Sequence, residues 1–246
     1  MSNFVTLAQI SDSHLRAAPD DSPASPDRCL QSAVEQVAAH GTDALLLTGD
    51  LTDDGSPAAY RRIRAIVDAL GVPVLATPGN HDDPAALAMT FPAPGEMVLG
   101  GWRVLLVDTM LPGRNDGRVN VDTLIERLGH DEGQPTIVAM HHPPITTSTH
   151  EWFQLDGAEA LVAALGRRND VKVVLSGHLH QAFNVVLGRV SYIGCSSSWY
   201  SIAHRGDEYS LDQGHVGALV LRLHDDGRWT WRRLPDPHMG ADSPLT

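Results

Sequence analysis

This sequence of 246 residues predicts an α/β protein built from two mixed β-sheets with helices on the outside. Three observations carry the prediction. Strand and helix patterns alternate through the first third. The second half repeats that alternation less regularly. Past His180 the pattern changes to consecutive strands joined by hairpin turns, so the end of the chain is expected to be antiparallel. The length lies between one and two average domains. With no internal repeat, no low-complexity segment and even Gly and Pro punctuation, one continuous domain over residues 1–246 is expected.

The elements follow from local pattern. Residues 4–10 form a short apolar strand. Residues 26–40 have helical spacing in Leu30, Val34, Val37 and Ala38, and stop at Gly41. Residues 44–47 are a continuous apolar strand. Ser56 as N-cap and Pro57 at the first position open a second helix, with Ile63, Ile66, Val67 and Leu70 on its apolar face and Gly71 ending it. Residues 72–76 are the third strand. Residues 104–107, 137–140 and 171–175 read as buried strands, with helices at 122–128 and 158–166. Residues 182–187, 190–193, 218–223 and 229–234 read as strands, punctuated by the turn signals Gly188-Arg189 and Asp226-Gly227. Residues 143–155 and 196–214 resist assignment, and long irregular segments of this kind are usually functional or mobile.

Composition narrows the function. Hydrophobic residues make up 42% and charged residues 20%, which excludes a disordered chain. The formal charge of −12 argues against a nucleic-acid binder, which shows a basic footprint. Two distant cysteines make neither a disulfide framework nor a zinc knuckle. The N-terminus lacks the charged region of a signal peptide and no apolar run is long enough to span a bilayer, so a soluble cytoplasmic protein with no membrane partner is expected. Histidine, at 13 residues, is the compositional oddity, and it is the commonest metal ligand.

The histidines are not scattered. Five short polar clusters fall at the carboxyl ends of predicted strands: Asp12-Ser13-His14, Gly49-Asp50, Gly79-Asn80-His81-Asp82, His141-His142-Pro143 and Gly177-His178-Leu179-His180. Ligand sites of α/β sheets lie outside those ends, so the clusters should converge in one crevice. Asp, Asn and His supply oxygen and imidazole nitrogen to divalent Zn, Mn, Fe or Co. In Asp12-x-His14 and His178-x-His180, extended backbone would send both side chains to the same side. A carboxylate such as Asp50 can bridge two ions, and two ions roughly 3.5–4 Å apart polarise a phosphoryl group and acidify a water. Each piece alone is weak, but five in order at strand ends are not coincidence. The glycines before Asp50, Asn80 and His178 suit tight turns with close backbone approach.

These blocks resemble the signature of the calcineurin-like metallophosphoesterases, over residues 12–180. The longer strings around Asp12, Asp50, Pro57 to Tyr60, Asn80 and His141 are similar to those of class III cyclic nucleotide phosphodiesterases, and nearly the same strings occur in bacterial glycerophosphodiester phosphodiesterases. The resemblance implies a four-layer αββα sandwich and a centre of two divalent metal ions. Asp12, His14, Asp50 and His180 would bind one ion. Asp50, Asn80, His141 and His178 would bind the other, with Asp50 bridging. His81 would touch the phosphate, and Asp53 stands where a carboxylate could pair with it. His142 would support its loop, and Pro143 and Pro144 would stiffen it. The implied reaction is in-line attack on a phosphodiester by a hydroxide bridging the ions, with His81 stabilising the transition state or protonating the leaving alkoxide.

An acidic chain repels phosphate anions at long range, so a small phosphodiester steered only by the local ions is the expected substrate. The leading expectation is 3′,5′-cyclic AMP hydrolysed to 5′-AMP; the alternative is a glycerophosphodiester. Residues 143–155 and 196–214 are candidates for the walls of the site. Trp199, Tyr200 or His204 could stack on a base, and Arg205 could meet a phosphate oxygen. Equally, the aromatics could pack in the core or between two copies, which leaves a homodimer open.

Overall fold

A computed structural model describes residues 4–91, 95–130, 133–212 and 215–235. The first strand, β1 (Phe4–Ile10), is followed by α1 (Pro26–Ala38), whose first turn is capped by Ser25 accepting from the Arg28 amide. Next come β2 (Ala44–Thr48), α2 (Pro57–Val67) capped by Ser56, and β3 (Val74–Thr77). A 3₁₀ turn, Asp68–Leu70, prolongs α2 to Gly71, whose φ of +64° ends it. The three strands are parallel, and β14 (Ala218–His224) and β15 (Trp229–Leu234) add antiparallel strands beyond β1 in the order β15-β14-β1-β2-β3.

The second sheet has the order β10-β11-β9-β7-β5-β4. Its parallel centre is β5 (Trp102–Leu106), β7 (Thr136–Ala139), β9 (Val171–Ser176) and β11 (Val190–Gly194). Its antiparallel edges are β4 (Glu96–Leu99) and β10 (Phe183–Leu187). Both sheets are therefore mixed, as expected. Past His180, the hairpin β10-β11 joins the second sheet and the hairpin β14-β15 the first.

The period-two alternation of the strands sorts their side chains into three cores. Ala44 and Leu46 of β2 face Ile137, Ala139, Val173 and Leu175 of the second sheet. Leu45 and Leu47 point the other way, onto Leu30, Val34 and Val37 of α1 and Ile63 and Val67 of α2. On the outer face of the second sheet, Val138 and Val174 meet Leu124 and Leu128 of α4 (Val121–Leu128) and Leu161 and Leu165 of α5 (Ala158–Gly166). The layers run helix, sheet, sheet, helix.

Sequence reasoning missed α3 (Pro84–Thr90), whose signal is the Asp83 cap on the Ala85 and Ala86 amides. It also missed the short pair β6 (Gly117–Arg118) and β8 (Leu155–Asp156), and β4. The described part of the segment 196–214 is not irregular: β12 (Ser201–Arg205) and β13 (Glu208–Asp212) form a hairpin around Gly206-Asp207. Each strand is five residues long, and Tyr209 and Leu211, the alternating apolar residues of β13, stay exposed, so the hydrophobic pattern beside the turn was too short to stand out.

Candidate metal centre

All five polar clusters lie just past strand ends on one edge of the sandwich. Asp12 and His14 follow β1, Asp50 follows β2, Asn80 follows β3, His141 follows β7, and His178 and His180 follow β9. Backbone bonds lash these loops together beyond the strands. The Asp12 amide donates to the Gly49 carbonyl and the His14 amide to the Asp50 carbonyl, both at 3.0 Å. The Gly177 amide donates to the His141 carbonyl, also at 3.0 Å.

The reason the pairs converge differs from the expected extended geometry. Asp12, His14, Asp50, His178 and His180 have φ between 47° and 69°, and among the described residues they are the non-glycine positions with positive φ. Holding a side-chain-bearing residue in the left-handed region costs on the order of 1–3 kcal/mol, and such strain collects at functional sites. β1, β2 and β9 thus end in kinks that turn these side chains into the crevice, whereas Asn80 after β3 and His141 after β7 need none. Gly49, at φ +86°, lets the chain turn where a Cβ would sit 2.6 Å from His141 Nδ1. A Cβ on Gly79 would fall on the Asp50 carboxylate, so no other residue fits there.

Hydrogen bonds assign the imidazole tautomers. His180 Nδ1 donates to the Tyr200 carbonyl (3.0 Å), which leaves the lone pair on Nε2. His14 Nδ1 makes no hydrogen bond, but the Asp53 carboxylate 3.4 Å away favours the proton on that side and the lone pair on Nε2. The two Nε2 atoms face each other at 3.2 Å, and Asp12 Oδ1 is 3.4 Å from that of His180. Facing lone pairs beside carboxylates have no proton to share, and a cation fits between them. The second group is built alike. His141 Nδ1 donates to the Thr48 carbonyl (2.8 Å), and Nε2 stands 3.2 Å from Asn80 Oδ1 and 3.3 Å from Asp50 Oδ2. Asn80 turns its amide nitrogen toward Asn115 Oδ1 (3.5 Å), which fixes its oxygen inward. Asp50 Oδ2 is also 3.9 Å from His14 Nε2, so this carboxylate lies between the two groups.

His178 enters from the side. Its Nε2 donates to the Trp152 carbonyl (2.8 Å), so Nδ1 holds its lone pair, and its ring packs edge-on to that of His141 and tilted against that of His142. His142 has both nitrogens engaged, on Thr109 Oγ1 (2.8 Å) and the Asn115 carbonyl (3.1 Å), and so supports the loop. Clusters of three potential ligand atoms within 4.8 Å of one another include Asp12, His14 and His180, and Asp12, Asp50 and His141.

The electrostatics match a cation site. Burial works against the Asp50 charge, yet His141 and His14 hold its carboxyl well below the usual range. Burial likewise opposes a charge on His141, but Asp50 and Asp12 push it up to about 9. The pull that keeps a proton there also favours a metal ion. Burial, with His142 and His141 alongside, pushes His178 well down, and burial brings His142 to about 3; both are neutral at pH 7.

His81 is half-exposed, and its amide donates to Asp50 Oδ1 (2.9 Å). Its Nδ1 donates to the Asp53 carbonyl at 3.2 Å, whereas the Asp53 carboxylate is 3.8 Å away. That carboxylate lies nearer to His14 and pairs with Arg16 at 2.9 Å. Its pKa falls to about 2, mainly through His14.

Asp82 had no role in the sequence reading, though it stands in the Gly79-Asn80-His81-Asp82 block. It is buried and accepts from the Leu51, Thr52 and Gly79 amides (3.2, 3.1 and 3.0 Å) and from the Tyr60 hydroxyl (2.7 Å), tying the Asp50 loop to the Asn80 loop. The Tyr60 hydroxyl also accepts from the Asp83 amide (2.9 Å). Tyr60→Phe strips one donor and one acceptor from this buried junction. It is expected to cost about 1–3 kcal/mol, read as a lower denaturant midpoint.

A cleft of about 270 Å³ opens over His14, Asp50, Asn80, His81 and His180. Its other walls come from the two segments expected to supply them: Trp152 and Phe153 from the first, Tyr200, Ile202 and Tyr209 from the second. Of the expected stacking residues only Tyr200 lines it. Trp199 packs edge-on to Tyr200 and donates to the Ala24 carbonyl, and His204 binds the Leu179 carbonyl beneath Phe153. Arg205 is exposed beside the hairpin turn.

Comparison with known proteins agrees with this geometry. A probable cyclic nucleotide phosphodiesterase of Synechococcus is 36% identical over 241 residues, covering 92% of this chain and 90% of the relative. The 3′,5′-cyclic adenosine monophosphate phosphodiesterase CpdA of Pseudomonas aeruginosa is 32% identical, covering 91% and 87%. A cAMP/cGMP dual specificity phosphodiesterase of Mycobacterium tuberculosis is 32% identical, covering 79% and 68%. Among solved structures, a dimetal phosphatase from Danio rerio shares the fold with a TM-score of 0.64 at 14% identity, covering 88% of this chain and 98% of the other. A sequence profile described as calcineurin-like phosphoesterase matches residues 5–182, from β1 through the last of the clustered histidines. With that match spanning the whole constellation of strand-end ligands, the chain belongs to the calcineurin-like phosphoesterase family.

Proposed function

We propose that this chain is a metal-dependent phosphodiesterase that hydrolyses 3′,5′-cyclic nucleotides, cyclic AMP to 5′-AMP foremost. The observation that carries the chemistry is the pair of lone-pair clusters sharing Asp50. The relatives named as cyclic nucleotide phosphodiesterases, at 30–36% identity over most of the chain, favour that substrate over a glycerophosphodiester. Residues 183–235 supply strands to both sheets, which supports one catalytic domain over the whole of residues 1–246. No helix among the described residues is long and apolar enough to cross a membrane, and both cysteines are free, which suits a reducing cytoplasm.

Asp12, His14, Asp50 and His180 would hold one ion, and Asp50, Asn80, His141 and His178 the other. The mixed oxygen and nitrogen donors suit Mn, Fe, Zn or Co. When bound, the ions would supply Lewis acidity toward phosphoryl oxygens and a water acidified toward neutrality. The chain's own groups do the rest. The Nδ1 atoms of His141 and His180 are tied to carbonyls, so both rings keep their direction through turnover. His81, its Nδ1–H on the Asp53 carbonyl, would act as the imidazolium: Nε2 gives its proton to the departing 3′-oxygen as the bond from phosphorus to that oxygen breaks, and the ring is left neutral.

The test is a product-resolved turnover panel with added Mn²⁺ and with chelator. It contains 3′,5′-cyclic AMP, 2′,3′-cyclic AMP, glycerophosphocholine, glycerophosphoethanolamine and an aryl phosphodiester. The expected result is release of 5′-AMP from 3′,5′-cyclic AMP, abolished by chelator and restored by Mn²⁺. Release of glycerol phosphate with poor cyclic nucleotide turnover would move the assignment to glycerophosphodiesters.

A further inference from the structure

The metal-ligand groups account for one side of the cleft and leave the other unexplained. There, Trp152 and Tyr209 stand side by side, each 41% exposed, with ring centroids 5.7 Å apart. Two large aromatic side chains held against water next to a polar centre mark a binding surface. Resting on the cyclic nucleotide reading above, we infer that Trp152 and Tyr209 form the wall on which the nucleobase stacks, while the phosphate lies over the ligand clusters.

The wall is built from two distant segments pinned together. The 3₁₀ turn Glu151–Phe153 holds Trp152, whose amide donates to His150 Nδ1 (3.2 Å). The His150 ring in turn packs edge-on to both Trp152 and Tyr209. Tyr209 sits on β13 opposite His204, and the hairpin's Gly206 carbonyl accepts from the Thr149 amide (2.8 Å) and Ser148 Oγ (3.3 Å). Phe153 closes the wall from behind, its ring 5.3 Å from Tyr209. Rings fixed in this way lose little freedom when a flat ligand stacks on them. The wall is also anchored to the chemistry, because the Trp152 carbonyl accepts from His178 Nε2. A base on Trp152 is therefore one residue from a ligand that faces the phosphate. That anchor is backbone, so exchanging the Trp152 side chain leaves it in place.

The experiment compares binding of AMP and ribose 5-phosphate to the Mn²⁺-loaded protein by calorimetry, with metal content measured for each variant. Wild type is expected to bind AMP at least about 10-fold tighter than ribose 5-phosphate. Trp152→Ala should weaken AMP by about 10- to 100-fold, the scale of one base on one aromatic ring, and leave ribose 5-phosphate within about 3-fold. Tyr209→Ala should act in the same direction, and Trp152→Phe should keep most of the AMP affinity. All variants should retain their metal. Parallel loss of both ligands, loss of metal, or a changed sedimentation mass in Trp152→Ala would overturn the wall in favour of a structural or interface role. If wild type releases 5′-AMP but the ratio of the two affinities is unchanged in both alanine variants, the wall alone fails. If wild type turns over no cyclic nucleotide, the functional reading fails first.

Discussion

Asp50→Asn is expected to lower turnover of 3′,5′-cyclic AMP by about 10³-fold or more and to leave fewer than two ions per chain. Loss of a single preorganised electrostatic group at a reacting centre reaches that scale, and Asp50 serves both ligand groups at once. Its Oδ2 is 3.3 Å from His141 Nε2 and 3.9 Å from His14 Nε2, and its Oδ1 accepts from the His81 amide. An amide in its place keeps the shape but offers one oxygen without charge, so the two groups can no longer share an anion. Two readouts check this. Elemental analysis after dialysis should find the ion deficit. Thermal unfolding with and without Mn²⁺ should show a smaller metal-linked gain, since each site saturated at 100 times its Kd adds about 2.7 kcal/mol in wild type. An Asp50→Asn protein with two ions and near-normal turnover would place the bridge elsewhere.

The sandwich, and the crevice that gathers the candidate ligands, were legible in the sequence for a physical reason. Buried parallel strands such as Ala44–Thr48 are apolar on both faces, and the residues that follow them are exempt from packing and free to be chemical. Asp12, Asp50, Asn80, His141 and His178 stand out because each breaks an apolar run at its carboxyl end. What the pattern could not supply was backbone conformation. Asp12, Asp50 and His178, with His14 and His180 beside them, reach the centre through left-handed kinks, which no spacing rule for extended chain describes. The walls were legible only as regions. Trp152 and Tyr209 carry no local signal that separates them from Trp199, which is turned away on Tyr200 and the Ala24 carbonyl. Asp82 was invisible for a related reason: its importance lies in amides from Leu51, Thr52 and Gly79, and backbone donors leave no trace in residue type.

His81→Ala is expected to lower kcat for 3′,5′-cyclic AMP by about 10²- to 10⁴-fold while both ions stay bound, because a general acid acts on the substrate and not on the metal. The ring stands at the mouth of the cleft with Nδ1 on a backbone carbonyl, and the atom left for chemistry is Nε2. An aryl diester separates proton delivery from general support. Its leaving phenolate needs no proton, so the defect should shrink to about 10-fold or less on that substrate; an equal loss on both would assign His81 to phosphate binding instead. Asp53→Asn in the same pair of assays should follow the metal and not the leaving group. Its carboxylate lies 3.4 Å from His14 Nδ1, against 3.8 Å from His81, and it holds the His14 ring with its lone pair inward. Removing that charge should weaken metal binding by about 10- to 100-fold, the usual cost of losing a carboxylate behind a ligating histidine. Raising Mn²⁺ should then restore turnover of both substrates in Asp53→Asn and of neither in His81→Ala. A defect in Asp53→Asn that excess metal does not touch, and that vanishes on the aryl ester, would instead make the Asp53 carboxylate the partner of His81.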